Sequence, residues 1–453
     1  MFNVFRTSMQ EDSKHSLRNI KAGPIFRSFI RIFMVNHEDT YTRCNKYPSK
    51  LDISRSFVPI FAVKQEKMTM NASKRMDMMQ RQRLESLDVL RGFDLFCLVG
   101  LEAVMHALDG AVDAPWFDRV MWCFTHVDWE GFSSWDLVMP LFMFMSGVTI
   151  PFALARYKRE GNKGVAYRRI IKRVLLLWIL GMMCQGNLLG LNPERIYLYS
   201  NTLQSIAVGY LIASLLYLNC SMRVQIGVAV GLLLAFWGCM EWIQVGEFGG
   251  GNYTPTGNLA EWVDRTVLGR FRDGAIVADG QVVFASWYHY TWVLSSLTFA
   301  VTTMTGMFAG HILRDAESTP LRKCCALAFI GAVLVAGGWL WGLQMPVIKK
   351  LWTSSMVLVS SGYCFLLMAL FYWLIDCKGW NKHTRWLKVY GTNSIAAYML
   401  ATCVNFSSVS NSLLYGLKAY TGDFYPTLIA IANAVIIYQI LRVMYRQQVF
   451  LKV

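Results

Sequence analysis

The sequence predicts an all-α polytopic membrane protein of about ten transmembrane helices, with both termini cytoplasmic. Three observations carry that prediction. Of the 453 residues 55% are hydrophobic, and the mean hydropathy is +0.34. Charged residues make up only 16%, against roughly 25% in soluble domains. The apolar residues gather in repeated runs of about 20, the length a helix needs to cross a bilayer. A transmembrane barrel would show alternating segments of about ten residues instead.

Two domains are expected, a basic extension over 1–83 and a membrane domain over 84–453. The extension holds sixteen Lys/Arg and seven Asp/Glu, so it carries nine of the net charge of +15. The charge therefore gives no support to a nucleic-acid partner. IFRSFIRIF (25–33) is apolar but interrupted by Arg27 and Arg31. It reads as part of a disordered segment, or as a short amphipathic helix on a membrane surface. Met68, Met70 and Met76 offer later starts.

The expected spans are 86–108, 135–155, 172–190, 203–219, 224–243, 291–313, 324–342, 353–375, 386–406 and 425–445. Loop charge orients them. The loop 156–173 has eight basic residues and one acid, which marks it as cytoplasmic. The loops 314–323 and 376–385 fall on the same side by counting, and both are basic. The loops 109–134, 191–202, 244–290, 343–352 and 407–424 are poorer in Lys/Arg and fall outside. The outer loop 244–290 is rich in Trp and Tyr. That suits sugar binding, and it suits an aromatic belt at headgroup level equally.

Charge inside a span costs about 2.5–3.5 kcal/mol per group on insertion scales, so it marks a functional site by default. In the first span Asp88, Arg91, Glu102 and His106 fall within an arc of about 60° on an α-helix, with Asp94 one step aside. A plainer reading is a polar stripe that pins helices together, with Asp88 or Asp94 neutralising Arg91. His126 lies in FTHVDWEG just before the second span, and Asp128, Glu130 and Asp136 are near enough in sequence to orient it. Imidazole is the usual general base near neutral pH, although most loop histidines are simply solvated. Asn187 and Asn393 are polar residues inside spans and could be interhelical glue. No GxSxG, Walker A, HExxH or paired CxxC occurs in the chain. No metal is expected.

RLESLDVLRGFD (83–94), HVDWEGFSSWDLVMPLFMFMSG (126–147), LQSIAVGYLIA (203–213), LWTSSMVLVSSG (351–362) and YGTNSIAAYMLA (390–401) occur in that order. Together they resemble the family of heparan-α-glucosaminide N-acetyltransferase and its bacterial relatives, over about 83–445. The resemblance implies a membrane enzyme that moves an acetyl group from cytoplasmic acetyl-CoA to an amino sugar or glycan across the bilayer. The family's catalytic histidine stands in H-x-x-W-x-G, which falls on His126. Glu102 stands where the lysosomal enzyme has Asn.

The expected catalytic group is thus His126, Glu102 and Asp136. Arg91, Arg168, Arg169, Lys172 and Arg173 are expected to receive the phosphates of CoA, though a positive-inside anchor explains the last four as well. Asp128, Trp129, Asn187 and Asn393 are the candidates for contacts with the acceptor. The chain lacks the lysosomal enzyme's large N-terminal lumenal domain and extra span, which suggests a bacterial inner membrane. A homodimer is left open. The competing function is a proton-coupled transporter of a small solute, using the charged first span.

Overall fold

The computed structural model describes residues 84–278 and 280–451. The expected extension, with IFRSFIRIF and the alternative starts, lies outside the described residues. The rest is helical apart from two short antiparallel hairpins, β1 (Gln244–Val245) with β2 (Phe248–Gly249), and β3 (Ala275–Ala278) with β4 (Gln281–Phe284).

Each of the ten expected stretches falls on helix. The first is α1 (Glu85–Phe96), a π-helical turn (Cys97–Leu101) and α2 (Glu102–Asp109). A short α3 (Pro115–Met121) follows, then α4 (Val138–Glu160), α5 (Lys163–Cys184), α6 (Thr202–Asn219) and α7 (Met222–Trp242). The outer loop contains α8 (Leu259–Leu268). Beyond it come α9 (Ser296–Arg314), α10 (Pro320–Trp341) and α11 (Ser354–Phe371). The chain then runs through α12 (Arg385–Thr392), α13 (Ser394–Cys403), α14 (Ser407–Leu414), α15 (Lys418–Thr421) and α16 (Tyr425–Arg446).

Among the described residues, seven helices are long and apolar enough to cross a membrane. The expected spans 86–108, 172–190 and 386–406 fall short of that measure, each for a visible reason. The first carries its charges internally. The third begins at Lys163 within the basic loop and stops at Cys184, before Asn187 takes a left-handed φ of 54°. The ninth is broken at Asn393, which lies between α12 and α13.

Close helix crossings form the core, and small residues permit them. A Cβ on Gly147 of α4 would lie 1.9 Å from the Thr303 carbonyl oxygen of α9, and one on Gly306 would lie 1.9 Å from that of Phe144. Helices α1 and α12 cross in the same way at Gly92 and Gly391. Around these crossings pack Met143, Ile150, Phe144, Phe299, Met304 and Trp352, all nearly inaccessible to solvent.

The loops sort into two ends. At the basic end Lys158 donates to the Tyr217 carbonyl at 2.5 Å and Lys163 to Asn219 at 3.1 Å. Lys388 pairs with Glu85 there at 2.5 Å. At the opposite end Gly131 N–H donates to Val347 O at 2.8 Å, Trp129 Nε1 to Tyr253 O at 2.9 Å and Leu198 N–H to Phe271 O at 3.0 Å. The grouping agrees with the alternation of loops predicted from charge.

Candidate active site

The HVDWEG loop leads into a 3-10 turn, Ser134–Leu137, that opens the long helix α4. Ser133 and Asp136 cap this turn reciprocally. Ser133 N–H donates to Asp136 Oδ2 at 2.9 Å, and the Ser133 hydroxyl donates to the Thr125 carbonyl at 2.6 Å. One carboxylate oxygen is thereby committed to the backbone of the turn. The other, Oδ1, lies 2.9 Å from His126 Nδ1. Asp136 is fully buried, whereas the His126 ring is about 40% exposed to the space beside it. At the end of the loop Gly131 adopts φ of 121°, which a side chain would strain, and its N–H reaches Val347 O.

A second cation completes the cluster. Lys349 Nζ sits 2.9 Å from His126 Nδ1, 3.3 Å from Nε2 and 3.3 Å from Asp136 Oδ1. Nδ1 cannot donate to Asp136 and also accept from an ammonium. The buried carboxylate makes the stronger claim on the Nδ1 proton, and Lys349 then gives one of its own protons to the same carboxylate. Nε2 is then the acceptor nitrogen, with Lys349 Nζ 3.3 Å away. Burial pushes the Lys349 amine down to about 8, against the opposing pull of Asp136 and Glu102.

Glu102 Oε1 accepts from Trp135 Nε1 at 3.0 Å, which fixes the carboxylate on the cavity wall. The cavity has a volume of about 560 Å³ and reaches from Arg91 and Arg173, towards the basic end, to His126, Glu102 and Lys349 at the other. Leu98, Phe142, Leu177 and Ile206 line it between these polar ends. Asp273, Tyr288 and Tyr290 of the outer loop also line it. The arrangement provides an oriented base at one end, cationic side chains towards the other, and a channel between them lined by apolar side chains together with Ser146, Thr149 and Thr202.

The structure brings together only part of the predicted set. His126, Asp136 and Glu102 meet, and Arg91 and Arg173 share their cavity. Arg168, Arg169 and Lys172 do not line it. They are exposed on α5, where successive residues turn by about 100°, so one cavity admits few of a basic run. Arg169 lies instead 5.2 Å from the Tyr157 ring. Asp128 is exposed and does not line the cavity. Trp129 supports the outer loop through Tyr253 and an edge contact with His289. Asn187 is exposed at the break after α5. Asn393 is buried and clamps the C-terminal segment, donating to Val449 O and accepting from Leu451 N–H.

The single polar face expected of the first span is also divided. The π-helical turn at Cys97–Leu101 interrupts the α-helical count, a feature frequent at functional sites. Arg91 and Glu102 both line the cavity, while Asp88 is buried away from it and His106 is exposed outside it. Lys349 was missing from the predicted set. Its one signal in the sequence is the pair Lys349-Lys350 in a loop expected outside, where positive-inside statistics disfavour lysine.

The long apolar helices define a multi-pass membrane protein with a buried polar cluster at one end of its cavity. Residues 83–245 match the family described as "Heparan-alpha-glucosaminide N-acetyltransferase, catalytic". The human protein named heparan-alpha-glucosaminide N-acetyltransferase is 26% identical over 368 residues, which cover 70% of this chain and 52% of the human one. Its mouse counterpart is 25% identical over 327 residues, covering 61% and 49%. This chain is similar to the heparan-α-glucosaminide N-acetyltransferase family, its family match lying within residues 83–245, and it spans about half the length of the curated relatives it matches.

Proposed function

We propose that this protein transfers an acetyl group from cytoplasmic acetyl-CoA to the amine of an amino sugar or glycan on the far side of the membrane. The observation that carries the reading is the single cavity with His126 and Asp136 at one end and Arg91 and Arg173 towards the other. Positive-inside charge makes the basic end cytoplasmic. The reaction and the acceptor class are those named for the relatives, heparan-alpha-glucosaminide N-acetyltransferases. CoA enters beside Arg91 and Arg173, whose guanidinium groups suit phosphate. Its thioester reaches along the channel towards Glu102.

His126 Nε2 takes a proton from the acceptor amine as the nitrogen attacks the thioester carbonyl. The new C–N bond forms, the C–S bond breaks, and the proton passes from His126 to the departing thiolate. Asp136 holds the imidazole in the tautomer that leaves Nε2 unprotonated. The acceptor loses its first proton to solvent and binds as the free amine, and Glu102, fixed by Trp135, accepts a hydrogen bond from it. The deciding experiment incubates purified protein with radiolabelled acetyl-CoA and a panel of glucosamine-containing acceptors. Label in an acceptor supports the reading, and its absence from every acceptor overturns it.

The donor end is tested separately. Arg173→Glu should raise KM for acetyl-CoA by about tenfold, the cost of one charge-assisted contact, while KM for the acceptor stays put. Arg169→Glu should leave both within about twofold, because Arg169 lies outside the cavity. Equal effects of the two variants would show that these arginines act as a general charge rather than at the cavity.

A further inference from the structure

The attack just described places negative charge on the carbonyl oxygen of the thioester, and a base alone does nothing for that charge. Donors aimed at a developing oxyanion in a water-poor site typically contribute 10²–10³-fold in rate. Two other donors on the cavity wall are already committed, and Tyr290 there is a neutral hydroxyl. Trp135 Nε1 is spent on Glu102, and the Tyr288 hydroxyl accepts from Trp292 Nε1 and serves Asp273. Glu102 is an acceptor only. Lys349 stands apart from them. Its ammonium has three protons, its carboxylate partner is Asp136 Oδ1, and its side chain lines the cavity in contact with the imidazole.

The backbone that carries Lys349 is fixed from several directions. Glu130 and Ile348 form an antiparallel bridge, so the lysine loop and the histidine loop are joined as one piece. Ile348 N–H donates to Thr353 Oγ1 at 3.1 Å. Thr291 N–H donates to Lys350 O at 3.1 Å, and the Ser295 hydroxyl to Leu351 O at 2.9 Å. Trp352 is held at φ of 55°, an unfavourable value for a bulky residue, and its Nε1 donates to Thr302 at 3.0 Å. A donor on such a segment needs little reorganisation when charge appears beside it. Were Lys349 there only to neutralise Asp136, nothing would require it to touch the imidazole at the cavity wall.

Resting on the acetyl-transfer reading above, we propose that Lys349 is a further catalytic residue, the cationic donor to the thioester oxyanion. The amine nitrogen attacks the carbonyl carbon, and the carbonyl π pair moves onto oxygen, where the Lys349 ammonium receives it. Collapse returns that pair to the C–O bond and expels the thiolate, which takes its proton from His126. The positive charge of Lys349 beside the protonated imidazole favours that last transfer. The titratable groups facing Lys349 are Asp136 and His126 from the start of α4 and its preceding loop, Glu102 from α2, and Tyr290 and its own neighbour Lys350. The ammonium form is the active one, so turnover should fall as pH rises through about 8.

The test measures kcat and KM against pH for the reconstituted full chain, wild type beside Lys349→Met and Lys349→Arg, with monodispersity checked for each. Lys349→Met should lose about 10²-fold or more in kcat with KM for acetyl-CoA within about threefold. Lys349→Arg keeps its charge at any accessible pH and should lose the alkaline fall of the wild type. If Lys349→Met fails to fold, the alkaline limb of Lys349→Arg alone decides. An unchanged limb in Lys349→Arg, or a folded Lys349→Met with near-normal kcat, overturns the role while His126-dependent transfer stands. A wild type that acetylates no acceptor removes the transfer reading and this role with it.

Discussion

Replacing His126 by alanine is expected to lower turnover by at least about 10²-fold while acetyl-CoA still binds, since loss of a general base typically costs 10²–10⁴-fold. The acceptor attacks as its free amine, which must shed a further proton as the C–N bond forms. The imidazole, oriented by Asp136 at the acceptor end of the cavity, is placed to take it. Asp136 is buried and committed to the Ser133 cap as well as to His126, so it orients rather than accepts. Removing the imidazole leaves the donor end of the cavity untouched, because Arg91 and Arg173 lie towards the opposite end. Binding of acetyl-CoA measured by calorimetry should therefore persist. Glu102→Gln should lose less, because the amide keeps the contact with Trp135 and gives up only charge. A His126→Ala protein that transfers acetyl at near the normal rate would end the mechanism.

Helices were legible in the sequence because apolar runs of bilayer length leave few alternatives. Their interruptions were not. The π-helical turn at Cys97–Leu101 is a backbone offset that leaves composition unchanged, so counting 100° per residue put His106 on a face it does not share. The early stop of α5 follows from the left-handed turn at Asn187, and the break at Asn393 from its side chain holding the C-terminal segment.

At the site, legibility followed sequence distance. His126 and Asp136 are ten residues apart on one short loop, and local patterning found them together. Lys349 lies 223 residues from His126 and reaches it only through tertiary structure. The basic run 168–173 shows the converse. Charge can be read from sequence, but the direction of each side chain cannot, and only Arg173 among the four turns toward the cavity. Asn187 and Asn393 stand out for polarity inside apolar runs, and both lie at breaks in the helices.

The largest structural effect is expected at Gly391. A Cβ added there would lie 1.8 Å from the Asp88 carbonyl oxygen and 3.0 Å from Gly92 N, both backbone atoms that no rotamer change can move. The reciprocal Cβ on Gly92 would lie 1.9 Å from the Leu387 carbonyl oxygen, so the two helices already meet at backbone distance. Any side chain at 391 must push α1 and α12 apart by more than an ångström. That separation would open the buried contacts of Leu90, Leu95 and Val389 and disturb the Glu85–Lys388 pair at the basic end. Overpacking of this kind costs about 1–3 kcal/mol, and more where backbone is the obstacle. Gly391→Val should therefore lower the thermal midpoint of the solubilised protein by several degrees and reduce the monodisperse yield. Gly227→Ala, with nothing within 4 Å of its added Cβ, should change neither. Arg91 stands beside Gly92 on the displaced turn, so protein that survives the substitution should also bind acetyl-CoA more weakly. A Gly391→Val protein that melts with the wild type would show that the two helices do not cross at backbone distance.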